Sequence, residues 1–391
     1  MAPLTPTGRW LAVGRSHASD ARTAGTEAAE AALGRDAAQL LIVFCSHRYD
    51  LPVLLEAIDA RAGGAPLIGC STAGEIATSG PGDAGVVVVA LGGSGFSVRT
   101  AAASGTGRLR EAGAEVAAAV AELEPREHQA LLLLTDGLAG DQQEIVRGAH
   151  AVLGAGVPLV GGCAGDDLEM RRTFQMHDGE LLEGSVVAAA LGSDAPFGIG
   201  VRHGWQRVGA PLLVTRSEGT EVLELDGRPA LDAYFDRLAV PAEARGDADA
   251  FTRYALTHPI GMARGRGEEQ IRFIGGGDFE RRSLQCIAEV PEGATAWLME
   301  GDETSVLDAT DAACADALEA LGGTAPLGLL AFDCIARRAV LGDTGISTEV
   351  ERISVHAGGA PVAGFYTYGE IARTRGVSGF HNQTLVVLAV G

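Results

Sequence analysis

The chain is expected to fold as an α/β protein of two duplicated halves, each built from repeated strand-helix-strand units with largely parallel sheets. Three observations lead there. Continuous apolar runs such as Leu40-Leu41-Ile42-Val43-Phe44 alternate with stretches of helical period, the pattern of strands buried on both faces between crossover helices. A glycine-carboxylate signature recurs, as Gly69-Cys70-Ser71-Thr72-Ala73-Gly74-Glu75-Ile76 and as Gly364-Phe365-Tyr366-Thr367-Tyr368-Gly369-Glu370-Ile371, with a shortened form, Gly161-Gly162-Cys163-Ala164-Gly165-Asp166, between them. The intervals between copies hold the same succession of elements, as internal duplication produces.

Taken in order, residues 10–18 read as a strand, 20–33 as an Ala- and Glu-rich helix and 40–44 as a buried strand. Residues 51–62 read as a helix because Leu51, Leu54, Leu55 and Ile58 fall on one face. Strands at 66–69, carrying the signature, and at 86–89 close the first unit. A second unit follows: strand 96–102, helix 108–123, strand 131–134, helix 142–153, strand 158–161 and strand 186–191. The last unit has strand 295–299, helix 306–321, strand 327–332, a helix over 349–357, strand 361–364 and strand 385–388. Between them, 205–292 diverges: a strand at 212–215, a helix at 230–238, a strand at 254–257, and 271–274 leading into Gly275-Gly276-Gly277-Asp278, which reads as a degenerate further unit. Glycine and proline cluster between 194 and 210, which divides the chain into 1–204 and 205–391.

Composition narrows the chemistry. With 391 residues and 47% hydrophobic residues the chain can bury sizeable cores. A formal charge of -21 disfavours nucleic acid and anionic membrane surfaces. The sequence contains no lysine, which removes P-loop chemistry, Schiff bases and a lysine general base. Cys45, Cys70, Cys163, Cys286, Cys314 and Cys334 are scattered without a C-x-x-C pair, so neither a zinc site nor a disulfide framework is indicated and a reduced, cytoplasmic setting is expected. Residues 1–8 lack the features of a signal peptide, and no apolar run reaches membrane-spanning length.

Parallel strands place ligands in crevices at their carboxyl ends, where the signature loops sit. The strand before each long signature ends in Cys-x-x-Arg: Cys45-Ser46-His47-Arg48 and Cys334-Ile335-Ala336-Arg337. If Arg48 meets Glu75 and Arg337 meets Glu370, each pocket offers one cation and one carboxylate. That pair suits a zwitterion such as an amino acid; the structural alternative is an internal salt bridge between loops. The candidate ligand-binding residues are Arg48, Cys70, Ser71, Thr72, Gly74, Glu75, Asp166, Cys334, Arg337, Tyr366, Thr367, Tyr368, Gly369, Glu370 and Asn382. Tyr366 and Tyr368 would share a strand face and stack on the ligand, or serve only packing. Gly74 and Gly369 also suit turns, and the adjoining acids caps.

Catalysis is the weaker reading. Gly69-x-Ser71-x-x-Gly74 misses the nucleophile elbow by one residue, and no nucleophile is kept between the copies. A hydrolase or transferase using Cys70, Ser71 or Cys334, with Glu75 or Glu370 as acid-base partner, stands as the alternative. Gly80-Pro81-Gly82-Asp83-Ala84-Gly85 matches a dinucleotide fingerprint literally but precedes a strand and contains proline. The histidines form no metal-ligand spacing. No metal and no cofactor are expected.

The two long signatures, together with Phe380-His381-Asn382-Gln383-Thr384 and Leu223-Glu224-Leu225-Asp226-Gly227-Arg228-Pro229-Ala230-Leu231, resemble the FIST family (F-box and intracellular signal transduction proteins). The last stretch resembles the junction between that family's N-terminal and C-terminal domains. Ala336 stands where the family's Cys-x-Gly-Arg strand end carries glycine. The resemblance runs from about residue 40 onward and implies a sensory, ligand-binding role, with amino acids among the proposed ligands. It implies no catalytic residues. The chain resembles a stand-alone FIST protein whose output needs a signalling partner protein; an interaction scaffold is the further alternative.

Overall fold

A computed structural model describes residues 8–34, 37–263, 269–374 and 379–391. Residues 1–7, on which the signal-peptide expectation rests, lie outside them. The first unit runs β1 (Trp10–Ser16), α1 (Ala21–Ala32), β2 (Ala38–Ser46), α2 (Leu51–Ala62), β3 (Leu67–Thr72), a hairpin of β4 (Glu75–Ala77) and β5 (Gly80–Gly82), and β6 (Val86–Gly92). The second repeats that order: β7 (Phe96–Ser104), α3 (Leu109–Ala117), β8 (His128–Thr135), α4 (Gln143–Leu153), β9 (Leu159–Cys163), a hairpin of β10 (Gln175–His177) and β11 (Glu180–Leu182), and β12 (Ser185–Ser193).

A third unit opens with β13 (Phe197–Arg202) and is then interrupted. The insertion holds β14 (Gln206–Glu218), β15 (Glu221–Leu225), β16 (Arg228–Pro229), α5 (Ala230–Arg237), α6 (Ala248–Ala255), β17 (Ile260–Met262), β18 (Gln270–Arg272), β19 (Ile274–Asp278), β20 (Ser283–Cys286) and β21 (Thr295–Glu300). The unit resumes with α7 (Glu303–Glu319), β22 (Gly328–Cys334), α8 (Ile335–Ala357), β23 (Val362–Thr367), a hairpin of β24 (Glu370–Arg373) and β25 (Phe380–His381), and β26 (Leu385–Val390).

The topology therefore has three like units rather than two duplicated halves. Their strand orders correspond: β1-β6-β2-β3, β7-β12-β8-β9 and β13-β26-β22-β23. Each four-stranded set is completed by the hairpin of another unit. β10 and β11 add to β3, β24 and β25 to β9, and β4 and β5 to β23. The hairpins are thus exchanged cyclically.

The fold is α/β, but the expectation of largely parallel sheets is corrected. Only β2 with β3, β8 with β9 and β22 with β23 pair in parallel among the described strands; the remaining pairs are antiparallel. The closing strand of each unit returns antiparallel beside the second strand. A continuous apolar run reports burial on both faces, not strand direction, so both arrangements read alike in sequence. The Gly275-Gly276-Gly277-Asp278 stretch is no degenerate unit. It lies in β19, antiparallel to β20 in the inserted eight-stranded sheet. Nor is 254–257 a strand: Asp247 accepts from the Ala250 amide at 2.7 Å and caps α6, which buries Ala250, Phe251 and Ala255.

Alternation along the strands fills two layers. Leu40, Ile42 and Phe44 point into a core shared by all three sheets, while Leu41, Val43 and Cys45 face α1 and α2. At the centre Phe44, Phe332 and Phe365 pack together, Phe332 edge-on to the other two, with ring centroids 4.9 to 6.2 Å apart. The inserted sheet has its own core around Tyr234 and Phe251.

Candidate functional site

The signature loops meet one another. Ala73 N–H donates to the Tyr366 carbonyl at 3.0 Å, and Tyr366 N–H donates to Gly74 at 2.8 Å. Cys163 N–H donates to the Gly369 carbonyl at 2.8 Å, and Tyr368 N–H returns to Cys163 at 3.1 Å. Gly165 N–H closes the ring on the Ser71 carbonyl at 3.0 Å. Each chain crosses here from its own sheet to the next, and the crossing needs glycine. Gly74 has φ 117°, and a Cβ there would overlap the Arg338 guanidinium; a Cβ on Gly369 would overlap the Phe380 ring.

The carboxylates of the long signatures face inward. Glu75 accepts from Thr72 Oγ1 at 2.6 Å and from the Gly85 amide at 2.9 Å. Glu370 accepts from Thr367 Oγ1 at 2.5 Å and from the Thr384 amide at 3.1 Å. Both pin the residue that enters the closing strand. In the second unit Asp136 takes that place, accepting from the Gly184 amide at 3.1 Å. Burial pushes the Glu75 carboxyl up to about 7 and the Glu370 carboxyl up to about 8, against those hydrogen bonds.

The Arg-Glu pockets anticipated from the Cys-x-x-Arg ends are not formed. Arg337 is 0% exposed. Its Nε donates to Asp333 at 2.6 Å, Nη1 to the His203 carbonyl at 3.0 Å, and Nη2 to Glu349 at 2.6 Å and Thr310 at 2.9 Å. It is a structural salt bridge. Equal spacing misled because the chain after β2 makes a turn before α2, whereas α8 begins directly after β22. Arg48 consequently lies at the surface, paired with Asp167 at 3.2 Å rather than with Glu75.

Other predicted residues are also turned inward. Ser71 Oγ donates to the Gly165 carbonyl at 2.8 Å and accepts from the Phe174 amide at 2.9 Å. The Cys70 and Cys334 thiols are buried, and burial raises both well above the ordinary value. Asn382 is buried and donates to the His381 carbonyl at 3.0 Å. Tyr366 is buried beneath Arg338, whose guanidinium lies 5.0 Å from its ring centre. Tyr368 hydrogen-bonds Asp166 and receives the Leu168 amide at 2.6 Å. Asp166 also accepts from the amides of Met170, Arg171 and Arg172 at 2.7 to 3.0 Å. Against burial, these bonds hold its carboxyl below the usual range.

An open crevice of about 420 Å³ lies beside the loop ring. The first unit contributes Arg48, Ala73 and Asp83, the second Asp167 and Leu168, and the third Ile335, Arg338, Ala339, Gly342 and Asp343. Of the predicted residues only Arg48 lines it. Its side chain is 59% exposed, and Nη2 reaches Asp167, which is 13% exposed. Burial raises the Asp167 carboxyl, opposed by Arg48, His47 and Arg338. His47 lies 3.8 Å from Asp167 and 3.3 Å from Glu169. Arg338 donates to the Ala73 carbonyl at 2.7 Å and pairs with Asp83. Asp83, Asp167 and Arg338 were missed in the sequence. The doubled arginine at 337 and 338 was the available signal, since on a helix adjacent residues point about 100° apart.

Alternating cations and carboxylates around a small crevice can hold a ligand bearing both charges. Among the described residues no group of three or more His, Cys, Asp and Glu could hold a metal ion. In comparison with known proteins, the FIST N domain family matches residues 39–228 and the FIST C domain family matches residues 230–373, so the two matches meet inside the insertion. The chain belongs to the FIST family. FIST domains are associated with sensing in signal transduction. This FIST chain is 28% identical over 395 residues to an uncharacterized protein of Mycobacterium tuberculosis, covering 96% of this chain and 97% of that one. It is 29% identical over 154 residues to an uncharacterized protein of Methanocaldococcus jannaschii, covering 37% of this chain and 30% of the archaeal one. An uncharacterized protein of Mycobacterium bovis is 29% identical over 238 residues, 59% of each chain. No helix among the described residues of the FIST chain is long and apolar enough to cross a membrane.

Proposed function

We propose that this FIST protein is a cytoplasmic sensor that binds a small zwitterion, such as an amino acid, in the crevice beside the loop ring, and passes the signal to a partner protein. One observation carries the reading. Arg48 lines the crevice and meets Asp167 only as an ion pair through one nitrogen, with no guanidinium hydrogen bond among the described residues. Its remaining N–H donors suit a ligand carboxylate, which arginine takes in a bidentate fork. Asp167 beside it suits the ligand's ammonium group. Binding without bond chemistry is supported by the burial of Cys70, Ser71 and Cys334, each away from the crevice lining. A cytoplasmic setting is supported by the unpaired, buried state of all six cysteines.

Thermal melting against a panel of amino acids, small carboxylates and amines tests the proposal. A ligand of the folded state raises Tm by mass action, with roughly 2.7 kcal/mol of stabilisation at a hundred times its Kd. Amino acids are expected to raise Tm, and Arg48→Ala to abolish the rise while lowering the ligand-free Tm by no more than about a few degrees. A flat panel, or a rise that survives Arg48→Ala, overturns the proposal.

A further inference from the structure

We infer that the crevice is a composite site, in which Arg338 from the FIST C part is the positioning residue that keeps Arg48 and Asp167 of the FIST N part available to the ligand. The inference rests on the crevice being the ligand site. Arg48, Ala73, Asp83 and Asp167 fall within the FIST N match, and α8 falls within the FIST C match.

Arg338 joins three pieces of backbone. Nη1 holds the Ala73 carbonyl of the first signature, Nη2 holds the Asp83 carboxylate beyond β5, and the guanidinium lies over the Tyr366 ring of the last signature, 5.0 Å from its centre. The sequence reserves room for it: Gly74 lacks the Cβ that would collide with the Arg338 guanidinium. On the far side α8 is broken at Gly342, with φ 61° and ψ -176°, so Gly342 and Asp343 line the same crevice.

Charge gives the reason for the contact. Asp83 and Asp167 both line the crevice; burial raises the Asp167 carboxyl most, Arg48, His47 and then Arg338 lower it, and Asp83 adds a smaller upward push. With Asp83 neutralised by Arg338, Arg48 has one carboxylate neighbour and spare donors. Without Arg338, two unbalanced carboxylates compete for Arg48, and the donors meant for a ligand carboxylate are consumed inside the protein.

Calorimetric titration of the full chain tests this, with glycine as the zwitterionic probe and acetate as its anionic half. Wild type is expected to bind glycine more tightly than acetate. Arg338→Ala is expected to weaken glycine roughly tenfold and to flatten that preference. Adding Asp83→Asn to it should restore much of the glycine affinity, an outcome that a purely structural role for Arg338 does not give. Arg338→Lys keeps the charge but not the two-pronged fork, and should fall between wild type and Arg338→Ala; if the alanine variant does not fold, the lysine variant carries the comparison. Glycine affinity unchanged in both Arg338 variants overturns the composite site and leaves the crevice reading standing. No binding of glycine or acetate by wild type overturns both.

Discussion

Arg48 and Arg337 occupy the same place in a repeated sequence pattern and have opposite fates. Arg337 sits with Asp333 and Glu349 in a site closed to solvent, so one cation faces two carboxyl groups. Such a cluster keeps a proton, and burial first, then Glu349, drive the Asp333 carboxyl well up. Arg337→Ala strands those carboxyls and should lower stability by about 3–5 kcal/mol in denaturant unfolding. Asp333→Asn mimics the protonated acid and should cost under about 1.5 kcal/mol. Arg48→Ala removes a pair whose cation is exposed, and should cost about 1 kcal/mol.

Glu75 and Glu370 add a pH dependence of definite sign. Their folded-state values, about 7 and about 8, lie above the ordinary 4.5, so the folded protein keeps protons that the unfolded chain releases. The stability they contribute is full below about 4.5 and is lost as pH rises through about 7 and then about 8. Urea unfolding measured from pH 5 to 9 should show that decline, at up to about 1.4 kcal/mol per pH unit for each group. Glu75→Gln and Glu370→Gln should each flatten it. A decline of the same slope in both variants would show that other groups cause it.

At the scale of elements, the exchanged hairpins decide where the signatures lie. The sequence made the flanking strands and helices legible because each is several residues of one clear period. The hairpins are not legible: β4, β5, β10 and β11 are three residues each, too short to set a pattern. Their partners are chosen by tertiary contact across the loop ring. The glycine-carboxylate repeat was visible, but its first role is to turn the chain across that ring and to hold the closing strand's amide. Gly74→Ala should therefore destabilise by roughly 1–3 kcal/mol and loosen Arg338, measurable as a lower Tm with weaker glycine binding. Tyr368→Phe removes a hydrogen bond that orders Asp166 and the Leu168 amide. It should speed amide exchange over 168–172 with little change in Tm. Unchanged exchange there would mean that Asp166 holds the loop unaided.

Across the whole molecule, three units share one core and lend one another their edges. Two of these units were readable from the sequence apart from their hairpins. The third was read with the wrong first strand, 295–299, because 206–300 separates β13 from α7 and that stretch, β21, belongs to the inserted sheet. The site was less readable still: Arg48 is the predicted residue that reaches the crevice, and beside Ala73 and Asp83 of its own unit the lining comes from a loop and a helix of the other two. Sequence periodicity shows which side chains face a core, but it does not show which loops a ring of exchanged strands will bring together. Residues 1–204 alone should lack β24 beside β9 and the Phe332 and Phe365 rings against Phe44. That fragment should show no cooperative thermal transition; a sharp one would mean that the first two units fold unaided.

The most direct measurement is hydrogen–deuterium exchange of the full chain with and without saturating glycine. Slowed exchange is predicted in the turn at 46–49, the hairpin segment 73–85, the loop at 166–172 and the stretch 335–345. Protection confined to the separate groove between β1 and the ends of α7 and α8, or no protection at all, would contradict a ligand site at the meeting of the three units.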